Sequence, residues 1–159
     1  MNCKTWISFI WISTVLAYQK SWQDCHSSCY RFVETEQPWH SALQYCHQND
    51  MKLVQIEDAG EFHLIRDTLK RHYNIKDEQI LEFWIDGYYN EAPRQWVWSS
   101  RNENINFFSW ASGEPNGIDH CIGLFNHEDF YMNDDKCEVA RAYICEDENG
   151  LHKNEPFLG

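Results

Sequence analysis

The order of apolar and polar positions along the chain predicts a strand and two helices in its first half. Cys29–Glu34 alternates apolar and polar residues, which is typical of a strand. After Pro38, apolar residues recur at helical spacing as far as Cys46, so we expect a helix with Cys46 on its buried face. A second helix is predicted after Asp58, a favourable N-cap. Its apolar stripe contains Phe62, Ile65 and Leu69.

The pattern changes to strands and loops from Phe83 onward. Short apolar segments predict strands at Phe83–Tyr89, Gln95–Ser99, His120–Phe125, Phe130–Asn133 and Ala142–Glu146. Two polar segments, Asn102–Asn106 and Ser112–Asp119, are predicted loops, and the second is dense in Gly, Pro, Asn and acidic residues. Because helices come early and strands late, without regular alternation, the pattern favours an α+β fold over a doubly wound sheet.

Composition narrows the classes of partner. The 159 residues are 43% apolar and 16% aromatic, which suits one ordinary domain with a packed core. A net charge of −12, from 13 Lys and Arg against 25 Asp and Glu, disfavours binding to nucleic acid or to an anionic lipid surface. No apolar stretch reaches the roughly 18 residues of a membrane-spanning helix. We therefore expect no nucleic-acid partner and no membrane insertion.

The N-terminal segment has the features of a secretory signal. Lys4 precedes the apolar stretch Thr5–Ala17, and small residues at Val15 and Ala17 suit cleavage after Ala17. An N-terminal apolar helix kept in the mature protein is the alternative. The expected organisation is a signal peptide at 1–17, an N-terminal lead-in at 18–28, one domain at 29–147 and a C-terminal tail at 148–159. The mature protein is then expected to be secreted and extracellular.

Cysteine usage agrees with an oxidising compartment. Removal of Cys3 with the signal leaves an even number of cysteines. They are Cys25, Cys29, Cys46, Cys121, Cys137 and Cys145. Their spacing alone leaves the pairing open. A zinc site has little support, because the chain contains neither a CxxC nor an HExxH motif.

Oxygen-bearing side chains concentrate in two late segments of the chain. The first contains Glu114, Asn116 and Asp119, and the second contains Asn133, Asp134 and Asp135. Calcium accepts about six to eight oxygen ligands in irregular geometry. The two segments are therefore candidates for a calcium site, although the EF-hand pattern is absent. The alternative is that they are solvated acidic loops.

A series of short motifs occurs along the chain in a specific order and spacing. They are Cys29-Tyr30, Trp39 through Cys46, Leu53-Val54-Gln55-Ile56, Trp84-Ile85-Asp86-Gly87, Trp96-Val97-Trp98, Phe108-Ser109-Trp110, Gly113-Glu114-Pro115-Asn116, Cys121, Asn133-Asp134 before Cys137, and Tyr143-Ile144-Cys145-Glu146. Together they resemble a C-type lectin domain over roughly Cys29–Glu146. The resemblance implies two helices with antiparallel sheets and a long irregular calcium-binding loop region, stapled by disulfides.

The resemblance also implies the disulfide pairing. Cys46 is expected to pair with Cys145, and Cys121 with Cys137. Cys25 and Cys29 remain, and we expect a Cys25–Cys29 bond, with intermolecular pairing as the alternative.

The resemblance implies a single calcium ion that stays open to sugar hydroxyls. Its implied ligands are Glu114, Asn116, Asp119, Asn133 and Asp134. Of these, the implied sugar-binding residues are Glu114, Asn116, Asp119 and Asn133. The order Glu, then cis Pro115, then Asn resembles the family's mannose-type sites, which prefer equatorial 3- and 4-hydroxyls, as in mannose, N-acetylglucosamine and fucose.

Three residues depart from the family pattern. Asp119 stands where Glu is usual, and its side chain, shorter by one methylene, has less reach toward a bound ion or sugar. Met132 replaces a customary Trp, and Asp86 interrupts the usual Trp-Ile-Gly.

Among the aromatic residues, Trp84, Trp96, Trp98 and Trp110 are candidates either for sugar stacking or, more simply, for core packing.

The functional expectation is a secreted, calcium-dependent lectin that is not an enzyme. Its expected partners are glycans or glycoproteins, for example on microbial surfaces. The alternative is a protein-recognition module of the same fold with weak or no calcium dependence, assembled as a disulfide-linked homo- or hetero-oligomer. A metalloenzyme using His120 and His127 has only the proximity of these residues to the acidic loops in its favour.

Overall fold

The computed structural model describes residues 29–73, 81–117 and 120–147, together with the backbone of residues 21–25. Within these residues the chain forms two α-helices, a short 3-10 turn and nine strands. The helices are α1 (Trp39–Gln48) and α2 (Ala59–His72). The strands are β1 (Ser21–Cys25), β2 (Cys29–Gln37), β3 (Lys52–Leu53), β4 (Glu82–Asn90), β5 (Gln95–Trp98), β6 (Glu103–Asn104), β7 (Cys121–Phe125), β8 (Tyr131–Asp135) and β9 (Arg141–Asp147). The signal segment at 1–17 and the tail at 148–159 lie outside the described residues.

Both predicted helices are confirmed. Helix α1 begins directly after Pro38 and buries Trp39, Ala42 and Cys46 on one face. Helix α2 begins after Asp58, whose Oδ1 accepts a hydrogen bond from the backbone N–H of Glu61 at 2.9 Å. This bond satisfies one of the unpaired donors of the first helical turn. No helix in the described part of the chain is long and apolar enough to cross a membrane.

The sheet contains one parallel contact in addition to the antiparallel pairs that the resemblance implies. Its strand order is β1-β2-β9-β4-β5-β6, with β3 added on β9 and the β7–β8 hairpin added on β4. All neighbours are antiparallel except β4 and β9, which run parallel with Phe83 beside Ala142 and Trp84 beside Tyr143. Both strands are buried over most of their length. Strands buried on both faces have nearly continuous apolar runs, and this pattern does not reveal strand direction.

Strand β1 is a correction, because its segment is expected to be a polar lead-in. Its residues pair antiparallel with β2, and Cys25 is the register partner of Cys29. An edge strand is held by main-chain hydrogen bonds, so a polar sequence does not exclude it. Cys29 is disulfide-bonded. The side chain of Cys25 lies outside the described residues, so the Cys25–Cys29 bond stays a prediction.

The sheet has an apolar cluster on each side. One packs α2 against the sheet through Phe32, Phe62, Ile65, Phe83 and Ile85. The other packs α1 through Trp39, Trp84 and Tyr143, and it contains the disulfide between Cys46 and Cys145. That bond closes a loop with a sequence separation of 99 residues. In the chain-entropy model, a closure of this length stabilises the fold by about 4.7 kcal/mol.

Asp86, the residue that departs from the family's Trp-Ile-Gly, is a buried hydrogen-bond acceptor. Its side chain is 1% exposed. Oδ2 accepts from Nε2 of Gln55 at 2.6 Å, and Oδ1 accepts from the backbone N–H groups of Gly87 at 2.8 Å and Ser99 at 3.1 Å. The backbone N–H of Asp86 donates to the carbonyl of Val54 at 2.8 Å. This residue therefore joins β4 to the segment before α2 and to the turn after β5.

We predict that Asp86→Ala destabilises the domain by about 2–4 kcal/mol, since it leaves buried donors without an acceptor. The measurement is the free energy of unfolding in urea. Asp67→Ala is the matched control, because Asp67 is exposed on α2. An equal effect of the two substitutions would show that the Asp86 hydrogen bonds contribute nothing.

Glu61 generates a prediction about pH. Burial raises the pKa of its carboxyl, although hydrogen bonds from the Glu57 backbone and the Tyr30 hydroxyl oppose the rise. The folded chain therefore binds this proton more tightly than the unfolded chain. The stability that the proton provides is present at low pH and is lost as pH rises through the folded pKa.

In wild type, the free energy of unfolding is expected to fall between acid and neutral pH as Glu61 loses its proton. Because Gln does not ionise, we expect a smaller fall in Glu61→Gln. Chemical denaturation at a series of pH values measures this difference. Glu57→Gln is the control, since Glu57 is exposed. Identical pH profiles for wild type and Glu61→Gln would contradict the prediction.

Candidate functional site

The irregular loop that carries the predicted ligands is anchored on β8 at both ends. At its start, the N–H of Ala111 donates to the carbonyl of Met132 at 2.8 Å, and the N–H of Met132 donates to the carbonyl of Ser109 at 2.9 Å. At its far end, the N–H of His120 donates to the carbonyl of Asp135 at 3.3 Å. Met132 is buried, and its Sδ accepts from the N–H of Ser109 at 3.3 Å. Methionine thus fills the position where the family has Trp.

Three of the predicted site residues meet where this loop crosses β8. The Glu114–Pro115 peptide bond is cis, as the resemblance implies. The backbone N–H of Asn116 donates to Oε2 of Glu114 and to Oδ1 of Asp134, both at 3.0 Å. One donor is therefore shared by two carboxylates from segments far apart in the sequence.

The carboxylate of Asp134 is only partly satisfied by protein donors. The residue is 3% exposed, and its Oδ2 is buried without a hydrogen-bond donor from the described residues. An unpaired buried oxygen of this kind is costly. Partial burial of Glu114 and the nearby carboxyl of Asp134 both raise the pKa of Glu114. Two carboxylates that repel each other around an unpaired oxygen fit a bound divalent cation.

The other two predicted ligands are less completely described. Asn133 lies next to Asp134 on β8, opposite Gly123, and is buried. In the described residues no hydrogen bond joins its amide to Glu114 or Asp134. Asp119 lies outside the described residues. Within those residues no group of three His, Cys, Asp or Glu side chains is placed to hold a metal ion, and Asp119 would supply the third carboxylate of the proposed set.

Asp135 has a different role from its neighbour. Its carboxylate binds the guanidinium of Arg141, which also pairs with Glu82. Burial raises the pKa of Glu82, and the Arg141 charge opposes the rise. The sequence groups Asp135 with the oxygen donors of the loop. In the structure, its ion pair with Arg141 instead joins the end of β8 to β9, and Arg141 joins both to Glu82 of β4. The local sequence does not indicate that Asp135 pairs with Arg141.

The conspicuous aromatic residues fall into two groups. Trp84 and Trp98 are buried in the core. Trp96 and Trp110 are partly exposed, and their ring centroids lie 5.3 Å apart. Phe108 stacks on Trp110, also at 5.3 Å. Core packing therefore explains the first pair, while the second pair surrounds the start of the site loop.

The two histidines considered for a metalloenzyme face different partners. Nε2 of His120 lies 2.8 Å from Oε1 of Glu91, and its side chain is 46% exposed. Nδ1 of His127 lies 3.5 Å from Oε1 of Glu82. The described residues thus bring neither histidine into a common metal cluster with Glu114 and Asp134.

Comparisons with known proteins agree with this architecture. The Lectin C-type domain model matches residues 35–147. Lectin subunit alpha of Sarcophaga peregrina is 28% identical over 153 residues, which cover 91% of this chain and 54% of that protein. The chain therefore spans about half the length of this relative.

Two solved structures have the same fold. Human lithostathine is 24% identical, with a TM-score of 0.68 over 80% of this chain and 97% of that one. A lectin from Saxidomus purpuratus, SPL-2, is 25% identical, with a TM-score of 0.67 over 79% of this chain and 90% of that one. SPL-2 is described as a Ca²⁺-independent C-type lectin. The shared fold therefore does not by itself decide calcium use.

Proposed function

Because the chain belongs to the C-type lectin domain family, shown by the match over residues 35–147, we propose that it binds carbohydrate through a calcium ion. The proposed calcium ligands are Glu114, Asn116, Asp119, Asn133 and Asp134. The observation that carries the proposal is the partly satisfied carboxylate of Asp134, hydrogen-bonded to the same N–H as Glu114. Two carboxylates at one point provide negative charge and part of the oxygen set that a hard cation takes.

The protein's own groups account for recognition of a sugar diol. When bound, calcium supplies a Lewis acid that coordinates hydroxyl oxygens. The carboxylate of Glu114 accepts a hydroxyl proton, and the amide of Asn116 donates to a hydroxyl lone pair. Asp119 and Asn133 are proposed to repeat this acceptor and donor pairing on a second hydroxyl. Hydrogen bonds to charged groups are the stronger members of such a set.

The proposed preference is for mannose-type sugars, namely mannose, N-acetylglucosamine and fucose. It rests on the resemblance of the sequence Glu114-Pro115-Asn116 to the mannose-type sites of the family. We further propose that the protein is secreted and binds glycans such as those of microbial surfaces. A single sugar site binds weakly, so clustering of several sites would provide useful avidity.

A second candidate function is recognition of a protein partner by the same fold, with weak or no calcium dependence. It is favoured by the similarity to SPL-2, described as Ca²⁺-independent, and by Asp119, which is shorter than the usual Glu. In that case the partly exposed Glu114 would contact the ligand directly, without an intervening ion. Lectin subunit alpha of Sarcophaga peregrina is named as a subunit. Under this candidate the chain would likewise act as one subunit of an oligomer.

Calcium is expected to stabilise the folded chain, since a ligand that binds only the folded state raises stability by mass action. At a calcium concentration of about 100 times Kd the gain is about 2.7 kcal/mol. We predict a higher Tm in millimolar calcium than in EDTA, and retention on mannose-agarose only with calcium. Retention that persists in EDTA would contradict calcium-mediated sugar binding, and an unchanged Tm in calcium with no retention would favour the second candidate.

Asp134→Asn tests whether this stabilisation arises at the proposed site. The amide keeps one oxygen for the N–H of Asn116 but removes the charge, so we expect the calcium-dependent rise in Tm to disappear. Glu138→Gln is the charge-matched control, because Glu138 is exposed. A rise in Tm that survives in Asp134→Asn would place the calcium elsewhere.

Sugar preference is tested by the double substitution Glu114→Gln with Asn116→Asp. It exchanges the charged acceptor and the amide donor across Pro115. We expect affinity for mannose to fall about tenfold and galactose to become the preferred sugar. Competition by each monosaccharide against a mannose-coated surface measures the change, and an unaltered order of preference would contradict the assigned roles.

A further inference from the structure

A groove lies directly beside the start of the site loop. It has a volume of about 380 Å³ and opens between residues 110–112 and the turn at residues 127–129, with Tyr131 as a further wall. Pockets that hold small molecules have volumes of about 300–1,000 Å³. The groove is therefore large enough for a sugar ring, and no proposed calcium ligand lines it.

The aromatic walls of the groove are held in place by their neighbours. Trp110 is stacked by Phe108 and contacted by Trp96. Tyr131 has the guanidinium of Arg66 over its ring, 4.5 Å from the centroid. A wall that is already ordered loses little side-chain entropy when a ligand binds. Phe108 and Arg66 cover one face of each ring, so Trp110 and Tyr131 offer the C–H groups of a pyranose only their remaining, partly exposed surface.

The polar rim of the groove offers one carboxylate to a ligand. Asp129 is occupied by Arg66 and Lys70. Glu128 differs: its side chain is 38% exposed, and its nearest ionic partner among the described residues is His127, at 3.9 Å. That distance is too long for a hydrogen bond. The carboxylate of Glu128 is thus free to accept hydroxyl protons, and the exposed Ser112 adds a hydroxyl group.

The groove is close along the chain to the proposed calcium site. Ser112 lines the groove, and Glu114 is two residues further along the chain. Two residues span at most about 7 Å. On the other side, Tyr131 is on the same strand as Asn133 and Asp134. A sugar ring in the groove and a sugar ring at Glu114 are therefore close enough to be neighbouring units of one chain.

We propose that this groove is a second subsite, which binds the hexopyranose adjacent to the unit held at the calcium site. The inference rests on the proposed function and extends it from a single sugar to an oligosaccharide. The aromatic wall contacts the apolar face of the second ring, and Glu128 accepts its hydroxyl protons. Because Glu128 is a carboxylate, the subsite takes neutral sugars and disfavours acidic ones.

The test compares methyl α-mannopyranoside with linear α-mannotriose in the presence of calcium. Calorimetry on the full chain is expected to give about tenfold tighter binding of the trisaccharide, the gain provided by an added charge-assisted hydrogen bond. Glu128→Gln should reduce this gain severalfold, and Ser112→Tyr should remove it by filling the groove. Glu36→Gln, an exposed change on β2, is the matched control.

Each outcome bears on a different claim. Equal affinity of wild type for the two sugars, or a trisaccharide preference that survives in Ser112→Tyr, would overturn the groove subsite and leave the calcium site standing. Failure of both sugars to bind wild type in calcium would overturn the proposed function and the subsite with it. Thermal unfolding of each variant verifies that a lost preference does not arise from a lost fold.

Discussion

The shared hydrogen bond from the N–H of Asn116 to Glu114 and Asp134 is the constraint on which the site depends. It brings two carboxylates together at the point where an irregular loop meets a buried strand. Like charges so close raise each other's free energy unless a proton or a metal cation lies between them. The oxygen of Asp134 that lacks a donor is consistent with that need.

The rest of the fold holds the two halves of this site in register. Strand β8 supplies Asp134, and hydrogen bonds to Met132 and Asp135 hold both ends of the loop against it. The disulfide between Cys121 and Cys137 spans the β7–β8 hairpin, and it is one of the pairings that the family resemblance implies. Closure of a short loop of this kind stabilises the folded state by about 3 kcal/mol. The proposed calcium site is thus a loop on a rigid support.

Much of the fold could be predicted from local signals and motif order. Pro38 and Asp58 mark where the helices begin, and each predicted strand is present with ends that differ by three residues or fewer. The parallel contact of β4 with β9 could not be predicted, since buried apolar runs do not reveal direction. Asp86 could not be interpreted either, because its acceptor role depends on Gln55 and Ser99, which are distant in sequence.

The site was less accessible to sequence reasoning than the fold. Oxygen-rich composition groups Asp134 and Asp135 together, yet only the structure separates a carboxylate that lacks a donor from one bound by Arg141. Composition offers Glu114, Asn116 and Asp134 only as candidates among the oxygen donors of two segments, and the family resemblance selects them as ligands. The groove beside Trp110 had no signal in the sequence, because it forms between a loop and a turn that are far apart along the chain.

Calcium titration by isothermal calorimetry, on the mature chain freed of metal, tests the central claim most directly. A calcium site at Glu114 and Asp134 predicts a saturable heat with one ion per chain in wild type and in Glu138→Gln, and none in Asp134→Asn. An absence of heat from wild type at millimolar calcium would contradict it.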